Sequence, residues 1–398
     1  MNILVKYVGV FILVCFTAFH LFFGYFGISS IWLTVTVYGL VLATGLWVIR
    51  NLTEHSALSK NYLLLFGSLI GSLFMGELLL KYVFKIGLER GELDGNSVYI
   101  IPYLETDFEN TAQRYVLGRT DFTYKVCDPN SKELKQTAEF AYWHTYNSLG
   151  LRGKEPVADS QKITLITLGD SYTEGNGTPD DSTWTVLLEN QLAPKVQCIN
   201  GGHSGSDPFM EYFVLKKLLL KYKPNKVFVA VNTTDITDVI KAGGWERNTT
   251  PKRPPWWAYI YQFSFITRAV IHATKKTDWL FLSAEQYKQE EKMALEKIKQ
   301  CIVHDYYGLS KENNFELVVI LHPMLGELEN NSFALQPLAN QLRRYPKIKT
   351  LNLFEAFKQE QTLKGVPYQS LYWQQDGHHN STGYKLWASV VADSVLAY

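Results

Sequence analysis

A serine, an aspartate and a histidine of this chain are of the types that acyl-transfer chemistry requires. Ser171 stands in the tripeptide Gly169-Asp170-Ser171, directly after an apolar run and at an expected strand-to-helix turn. A serine hydroxyl becomes a nucleophile when a base takes its proton, and a helix N-terminus favours the negative charge that develops. His379 is the candidate base. Asp376, three residues earlier, can orient its imidazole within a turn or a first helical turn.

The same chemistry needs hydrogen-bond donors for the oxyanion of a tetrahedral intermediate. The backbone N–H groups of Ser171 and Gly202 are candidates, and glycine at position 202 lets the backbone approach closely. A third donor is expected from the polar loop at 232–235. The sequence therefore predicts a nucleophile, a base and an oxyanion site contributed by separate loops.

An α/β domain over residues 161–398 would bring these loops together. Short apolar runs rich in β-branched residues alternate with helical stretches, the pattern of a parallel sheet covered on both faces. Ligands bind such sheets at the carboxyl ends of the strands, where all the polar loops fall. The predicted strands are Ile163–Leu168, Val196–Ile199, Val227–Val231, Leu317–Leu321 and Ile348–Leu353. The predicted helices include Trp184–Leu192, Phe209–Tyr222, Phe333–Tyr345 and a solvated helix over 285–301.

Composition narrows the class of protein. With 39 basic and 38 acidic residues and a net charge of +1, the chain lacks the basic surface of a nucleic-acid binder, so we expect no nucleic-acid partner. The four cysteines are too few for a disulfide scaffold and do not fall at zinc-ligand spacing. At most one disulfide can form among Cys127, Cys198 and Cys301 outside the apolar N-terminal region. We expect no metal site and no cofactor.

The N-terminal residues 1–87 are predicted to be a three-helix transmembrane anchor. The runs 7–29, 31–49 and 62–80 are almost free of charge and long enough to cross a bilayer. A signal peptide is the alternative for the first run, but that run is too long and two more follow. Basic residues before the first run and in the second loop favour a cytoplasmic N-terminus. The soluble part would then lie on the extracytoplasmic (periplasmic) side of the cytoplasmic membrane.

Two features of the anchored protein leave alternatives open. Glu77 is ionisable within the third run and could be functional, but we favour a pair with Lys81 one turn on. Residues 88–160 are an extracytoplasmic lead-in, and residues 240–300 are an insertion rich in Trp and Tyr. That insertion could be a lid, a membrane contact or a small core of its own.

The strand-end motifs resemble a known family. Ile166–Ser171 is similar to the first block of the SGNH/GDSL hydrolases, Asn200–Gly205 to the second and Asp376–His379 to the last. The lead-in Tyr146–Arg152 also resembles bacterial membrane-anchored members. The resemblance covers about residues 145–398 and implies a flavodoxin-like three-layer α/β/α sandwich. It assigns Ser171 as nucleophile, Asp376 and His379 as its partners, and Gly202 as an oxyanion donor.

The third block of this chain departs from that family. The family pattern Gly-x-Asn-Asp has an Asn side chain that completes the oxyanion hole, and that position holds Thr234 here when aligned on Asp235. Asn232 lies two residues earlier and points to the same side in an extended segment, so either residue can replace the missing donor. Losing one such donor costs roughly 100- to 1000-fold in rate.

Other polar residues near these motifs have milder interpretations. Asp170 is expected to order the turn around Ser171. His203 is either a substrate contact or a polar loop residue. His322 follows the fourth predicted strand, directly before Pro323, and could line the cleft. His378 is the alternative base, with a spacing to Asp376 that is one residue shorter than expected.

The sequence predicts a membrane-anchored serine esterase or deacylase that acts on O-acyl, often O-acetyl, esters of cell-envelope glycans through an acyl-Ser171 intermediate. Its partners would be the acylated glycan and the lipid bilayer. One alternative is an O-acyltransferase that works with a membrane protein partner. The other is a catalytically silent binding or scaffold module, which the altered third block favours.

Overall fold

The structure is a computed structural model of the chain, and it divides the chain into two compact units. One comprises residues 1–109 with 253–282, and the other residues 110–252 with 283–398. The insertion predicted at 240–300 is thus shared between the two units. The residues described are 35, 38–45, 58–84, 113–117, 123–158, 161–192, 194–248, 264–273 and 284–396.

The larger unit contains a parallel five-stranded sheet in the order β6-β5-β7-β8-β9. Numbered from its own first strand this order is 2-1-3-4-5, the order of flavodoxin-like doubly wound sheets, so the predicted fold is confirmed. β5 and β8 are buried at every position after the first because helices cover both faces. The strands are β5 Ile163–Leu168, β6 Val196–Asn200, β7 Lys226–Val231, β8 Glu316–Leu321 and β9 Lys349–Asn352.

Helices follow the strands as the alternation predicts. The segment expected at Phe209–Tyr222 begins at Pro208, because the Asp207 side chain accepts hydrogen bonds from two backbone N–H groups of the first turn. It is α-helical only to Val214 and then continues as a π-helical and a 3₁₀ turn. The other α-helices are Ser171–Glu174, Trp184–Leu192, Thr233–Ala242, Ala284–Gln300, Tyr307–Asn313, Leu325–Glu329, Gln336–Leu342, Leu353–Lys364 and Ser381–Leu396.

Two antiparallel hairpins precede the parallel sheet, where the sequence predicted only a mixed lead-in. Their strands are β1 Gln113–Leu117, β2 Thr123–Cys127, β3 Lys132–Gln136 and β4 Ala141–Thr145. A bridge between Tyr146 and Arg152 closes the loop that leads into β5. Residues of these hairpins reach the candidate site.

One layer of the core packs beside β5 and β7. Trp184 and Trp387 lie on two helices, are fully buried and stack with ring centroids 4.9 Å apart. Such aromatic pairs bury large areas and contribute beyond that burial. They join the C-terminal helix to the helix Trp184–Leu192, and Trp184 also packs on Phe228 of β7.

The smaller unit contains the helix Leu58–Leu78, extended by a π-helical turn to Val83. Within it, Leu64–Val83 is long and apolar enough to cross a membrane by length and composition. This segment overlaps the third predicted span. The first predicted span lies outside the described residues, and the second is described only at 35 and 38–45, which are helical. The three-span anchor stays a prediction.

Glu77 accepts several hydrogen bonds within this unit. Its carboxylate is fully buried and accepts hydrogen bonds from Tyr38 Oη, Ser264 Oγ and the Ile266 backbone N–H, at 2.8, 2.8 and 3.0 Å. These bonds cap the first turn of the helix Phe265–Ala273, and the pair with Lys81 stays a prediction. A segment of the insertion thus packs on the apolar helix within this unit.

Candidate active site

The nucleophile turn is built from consecutive residues. β5 ends at Leu168, and Asp170 caps the helix Ser171–Glu174 by accepting a hydrogen bond from the Tyr172 backbone N–H at 3.0 Å. This arrangement places Ser171 at the first helical position, at the carboxyl end of a central strand, with a partly exposed side chain. Ser171 thus lies at a strand-to-helix turn, and its role as nucleophile stays a prediction.

Ser171, His378 and Asp376 form a hydrogen-bonded chain. Ser171 Oγ lies 2.7 Å from His378 Nε2, and His378 Nδ1 lies 2.5 Å from Asp376 Oδ1. The Asp376 side chain is 6% exposed and that of His378 is 21% exposed, so the base faces the cleft and the carboxylate is shielded. This is the order of groups that a serine nucleophile, a base and an orienting acid require.

His378, and not His379, occupies the position beside Ser171. The prediction placed Asp376 and its histidine in a turn or a first helical turn, and the helix begins only at Ser381. Residues 374–376 form a turn that a hydrogen bond from the Gly377 N–H to the Trp373 carbonyl oxygen closes, and Tyr372 bridges His379. The Asp376 and His378 side chains meet across Gly377, and the His379 side chain is buried.

His379 belongs to the buried packing of the domain. Its ring is fully buried, with Nδ1 2.8 Å from the Leu371 carbonyl oxygen and Nε2 2.8 Å from His322 Nε2. Burial lowers the pKa of His379 to about 3. His322 is also fully buried and stacks on Trp387, so it does not line the cleft.

The loop that carries Asp376 and His378 is held by residues distant in sequence. The Glu139 carboxylate, near the tip of the β3–β4 hairpin, accepts hydrogen bonds from the backbone N–H groups of residues 374, 375 and 376 at 2.8, 2.9 and 2.8 Å. Tyr172, next to the nucleophile, donates its hydroxyl to the Gly377 carbonyl at 2.8 Å. Gly377 itself has φ +85°, which favours glycine. Sequence reasoning missed Glu139, which carries no local signal.

Arg152 supports the other side of the turn. Its guanidinium is 2% exposed and donates to the carbonyl oxygens of Glu174, Gly175 and Thr178, and to the Asp180 carboxylate. A planar fork of donors suits this set of fixed acceptors. The lead-in motif that resembles membrane-anchored hydrolases thus fastens the loop after Ser171.

The predicted oxyanion donors differ in the hydrogens that they can offer. The Gly202 N–H points to Asn200 Oδ1 at 3.0 Å, and the Thr234 hydroxyl lies 2.9 Å from Asp170 Oδ2 and 2.6 Å from Asn232 Oδ1. Each of these groups has one hydrogen. The Asn232 amide donates to Asp170 Oδ2 at 2.8 Å but carries two hydrogens. Asn232 is therefore the side chain of the third block that can serve an oxyanion without losing its present bond.

Gly202 packs directly behind the nucleophile helix. A Cβ atom at this position would lie 2.4 Å from the Glu174 backbone nitrogen and 2.6 Å from the Thr173 carbonyl carbon. Only glycine fits there, because the backbone at position 202 lies against the backbone of the nucleophile helix. Its role as a donor stays a prediction.

Asp170 also organises a buried acidic environment. Burial, followed by the charge of Asp170, raises the pKa of Glu211 and of Asp235 well above the usual carboxyl range. Both side chains are fully buried. Asp170 Oδ2 is the acceptor for the Asn232 amide and the Thr234 hydroxyl, while Oδ1 caps the nucleophile helix.

Sulfur, nitrogen and oxygen donors also meet behind the nucleophile helix. Cys127, Glu174 and His203 are buried, with their donor atoms within 4.8 Å of one another. His203 lies in the loop after β6, as predicted, but its side chain is only 2% exposed. Cys127 and Cys198 are thiols outside any disulfide.

The sequence matches no protein-family model and no curated protein. Solved structures similar to the chain include a two-domain esterase active on acetylated mannans, with a TM-score of 0.38 and 13% identity over 60% of this chain. The match covers 50% of that esterase, so the chain spans about half of its length.

Two further similar structures are smaller proteins. A protein named for the G-D-S-L lipolytic family, from Desulfitobacterium hafniense, has a TM-score of 0.32 and 15% identity over 58% of this chain and 99% of its own. An acetyl xylan esterase has a TM-score of 0.39 and 13% identity, over 58% of this chain and 100% of its own. The strand order and the motifs at the strand ends identify an SGNH/GDSL hydrolase-like fold in this chain.

Proposed function

We propose that this protein is a serine ester hydrolase that transfers an acyl group through Ser171. One observation carries the proposal: the unbroken chain from Ser171 Oγ through His378 to the Asp376 carboxylate, at 2.7 and 2.5 Å. A partly exposed serine bonded to a histidine that is itself oriented by a shielded carboxylate is the arrangement that activates a hydroxyl at neutral pH.

The first half of the reaction forms the acyl-enzyme. Ser171 Oγ attacks the ester carbonyl carbon while its proton moves to His378 Nε2, and Asp376 stabilises the imidazolium through Nδ1. The negative charge on the former carbonyl oxygen is met by the Ser171 N–H and the second hydrogen of the Asn232 amide. His378 then gives its proton to the departing alkoxide, and the C–O bond of the ester breaks.

The second half returns the enzyme to its starting state. A water donates a proton to His378 Nε2 as it attacks the acyl-Ser171 carbonyl, and collapse of the intermediate returns the proton to Ser171 Oγ. A sugar hydroxyl in place of water gives an acyltransferase with the same residues. The choice between the two products rests on the acceptor and not on the triad.

The proposed substrate is an O-acyl ester of an envelope glycan, with the enzyme anchored in the cytoplasmic membrane and the catalytic unit on its outer side. The apolar helix Leu64–Val83 supports the anchor. The similar structures include an esterase active on acetylated mannans and an acetyl xylan esterase, and we take an acetylated glycan as the substrate to test first. Glu77 of that helix accepts hydrogen bonds from Ser264 and from the Ile266 backbone N–H. The helix therefore also supports part of the insertion, in addition to any role as a tether.

The test of the proposal is fluorophosphonate labelling of the full chain in detergent. The probe reacts with a serine that its base has activated, so we expect labelling in the wild type and none in Ser171→Ala. Ser204→Ala is the matched control, because Ser204 also lies in a strand-end loop but is bonded to Glu174. A folded wild type that is not labelled would favour the silent scaffold.

A second assay separates hydrolase from transferase. Enzyme that has not been treated with the probe is given acetylated mannan or xylan, and free acetate and acetylated acceptor oligosaccharide are measured with and without added acceptor. Acetate release without acceptor supports the hydrolase. Product only in the presence of acceptor supports the transferase.

The location is tested separately. Alkaline phosphatase fused after the last residue is expected to be active in cells, because it folds only outside the cytoplasm. A fluorescent protein fused at the same point is expected to stay dark. The opposite pair of results would place the catalytic unit in the cytoplasm.

A further inference from the structure

Three buried donors lie close together behind the nucleophile helix. Cys127 ends β2, Glu174 ends the helix that begins at Ser171, and His203 follows Gly202 in the loop after β6. Their exposures are 0, 1 and 2%. Three segments that are far apart in sequence thus contribute one sulfur, one carboxylate and one imidazole to one place.

The spacing of the donors suits a tetrahedral ion. Cys127 Sγ lies 3.8 Å from His203 Nδ1, and all donor atoms lie within 4.8 Å of one another. Two ligands at zinc–sulfur and zinc–nitrogen bond lengths are about 3.6 Å apart at a tetrahedral angle. Small side-chain rotations are therefore enough to bring the three donors to bonding distance of a common centre.

The charges favour a divalent cation. The Glu174 carboxylate carries one negative charge, and the thiolate that Cys127 would form on binding a metal carries a second. An ion of charge +2 neutralises this pair. Binding releases the thiol proton, and the proton of the imidazole if His203 is charged.

The carboxylate is also oriented by further hydrogen bonds. Tyr146 Oη donates to Glu174 Oε1 at 3.0 Å, and Ser204 donates to Oε2 from its backbone N–H at 2.6 Å and from its hydroxyl. Metal-ligating carboxylates are typically held by such outer partners, and here one lone pair of Oε1 is left for the ion. These bonds fix Glu174 on the side of Cys127 and His203.

We infer that Cys127, Glu174 and His203 bind a zinc-class divalent ion that joins β2, the nucleophile helix and the Gly202 loop. Thiolate and imidazole ligands select zinc or cobalt over magnesium and calcium, which take sets of oxygen ligands. All three residues are buried and none belongs to the Ser171–His378–Asp376 chain, so the ion would be separate from that chemistry. The inference does not depend on the esterase proposal.

The first experiment measures metal in the full chain in detergent. The protein is treated with a chelator, given one equivalent of ZnCl₂, desalted and analysed for zinc by atomic emission. We expect about one zinc per chain in the wild type and almost none in Cys127→Ser and His203→Gln. Cys301→Ser is the matched control, because it also changes a fully buried thiol and should keep its zinc.

Cobalt tests whether the thiolate is a ligand. CoCl₂ in place of zinc should give a sulfur-to-cobalt charge-transfer band in the wild type and in Cys301→Ser but not in Cys127→Ser. Near-ultraviolet circular dichroism checks that each variant is folded. If Cys127→Ser does not fold, the wild-type band and the loss of zinc in His203→Gln carry the test.

Two results would overturn the inference. One is a folded wild type that leaves desalting without zinc and without a cobalt band. The other is zinc that Cys127→Ser and His203→Gln retain as well as Cys301→Ser does. Fluorophosphonate labelling of the same samples reports the Ser171 site independently, so failure of one proposal leaves the other measurable.

Discussion

The nucleophile turn and the base loop of the candidate site are stabilised in different ways. Residues 169–175 are held mainly from within: β5 leads into the turn, Asp170 caps the helix, and the turn closes at Gly175. Residues 374–379 have little regular structure and are held from outside, by Glu139, by the Tyr172 hydroxyl and by the burial of His379.

This difference predicts how substitutions in the two regions affect the activity of the site. A change in the nucleophile turn acts on the reacting atom itself. A change around the base loop acts on the position of His378, and so on the rate, while the sheet stays intact. Substitutions in the two regions should therefore separate chemistry, positioning and stability.

The largest expected effect distinguishes the two adjacent histidines. His378→Ala should lower kcat/KM for a simple acetate ester by roughly 1,000- to 10,000-fold with little change in thermal stability, because it removes the base. His379→Ala should instead cost about 2–3 kcal/mol of stability, because it opens a buried, hydrogen-bonded position. Ester kinetics and thermal unfolding of both variants provide the measurement. Loss of labelling in a folded His379→Ala with activity kept in His378→Ala would reverse the assignment.

The third-block donors come next. Asn232→Ala should lower kcat by roughly 100-fold, because the amide has a hydrogen to spare for the oxyanion. Thr234→Val should cost only a few-fold, because its single hydrogen is already engaged with Asp170 or Asn232. Steady-state kinetics of the two variants decide between the donors. A larger loss in Thr234→Val would identify the threonine as the donor.

Glu139 tests the external support of the base loop. Glu139→Gln keeps the size of the side chain but loses an acceptor oxygen, so we expect kcat to fall about tenfold with KM almost unchanged. Glu316→Gln, which removes a surface ion pair with Lys226 in the same unit, is the control and should have normal kinetics. Equal kinetics in both variants would show that the hairpin is not needed for positioning.

Substitution of His144, on the same hairpin, is expected to have the smallest effect on the rate. Its effect on the free energy of unfolding should be measurable. Burial lowers the pKa of His144 to about 3, so the unfolded chain binds a proton first as the pH falls below about 6.5 and the folded state loses stability. His144→Phe removes this loss. We expect the variant to gain about 2 kcal/mol relative to the wild type between pH 8 and pH 5, measured by denaturant unfolding. An identical pH dependence in both proteins would contradict the buried neutral histidine.

Much of this protein follows from local sequence. The apolar strands and the Gly169-Asp170-Ser171 turn are set by the periodicity and capping of neighbouring residues, and the fold and the place of Ser171 were predicted from them. Such features depend on backbone conformation and burial, which a short segment determines by itself. The apolar run at 62–80 likewise predicted the helix seen at Leu58–Leu78.

Tertiary structure decided which side chains meet. His378 rather than His379 faces Ser171, because the turn at 374–376 and Gly377 direct Asp376 and His378 towards each other, while His379 is buried. Glu139 reaches the base loop across more than 200 residues of sequence. Cys127, Glu174 and His203 show no ligand spacing along the chain and converge only through the sheet topology. Sequence periodicity determines elements and their faces, but contacts between distant loops depend on how the elements pack, which no local pattern encodes.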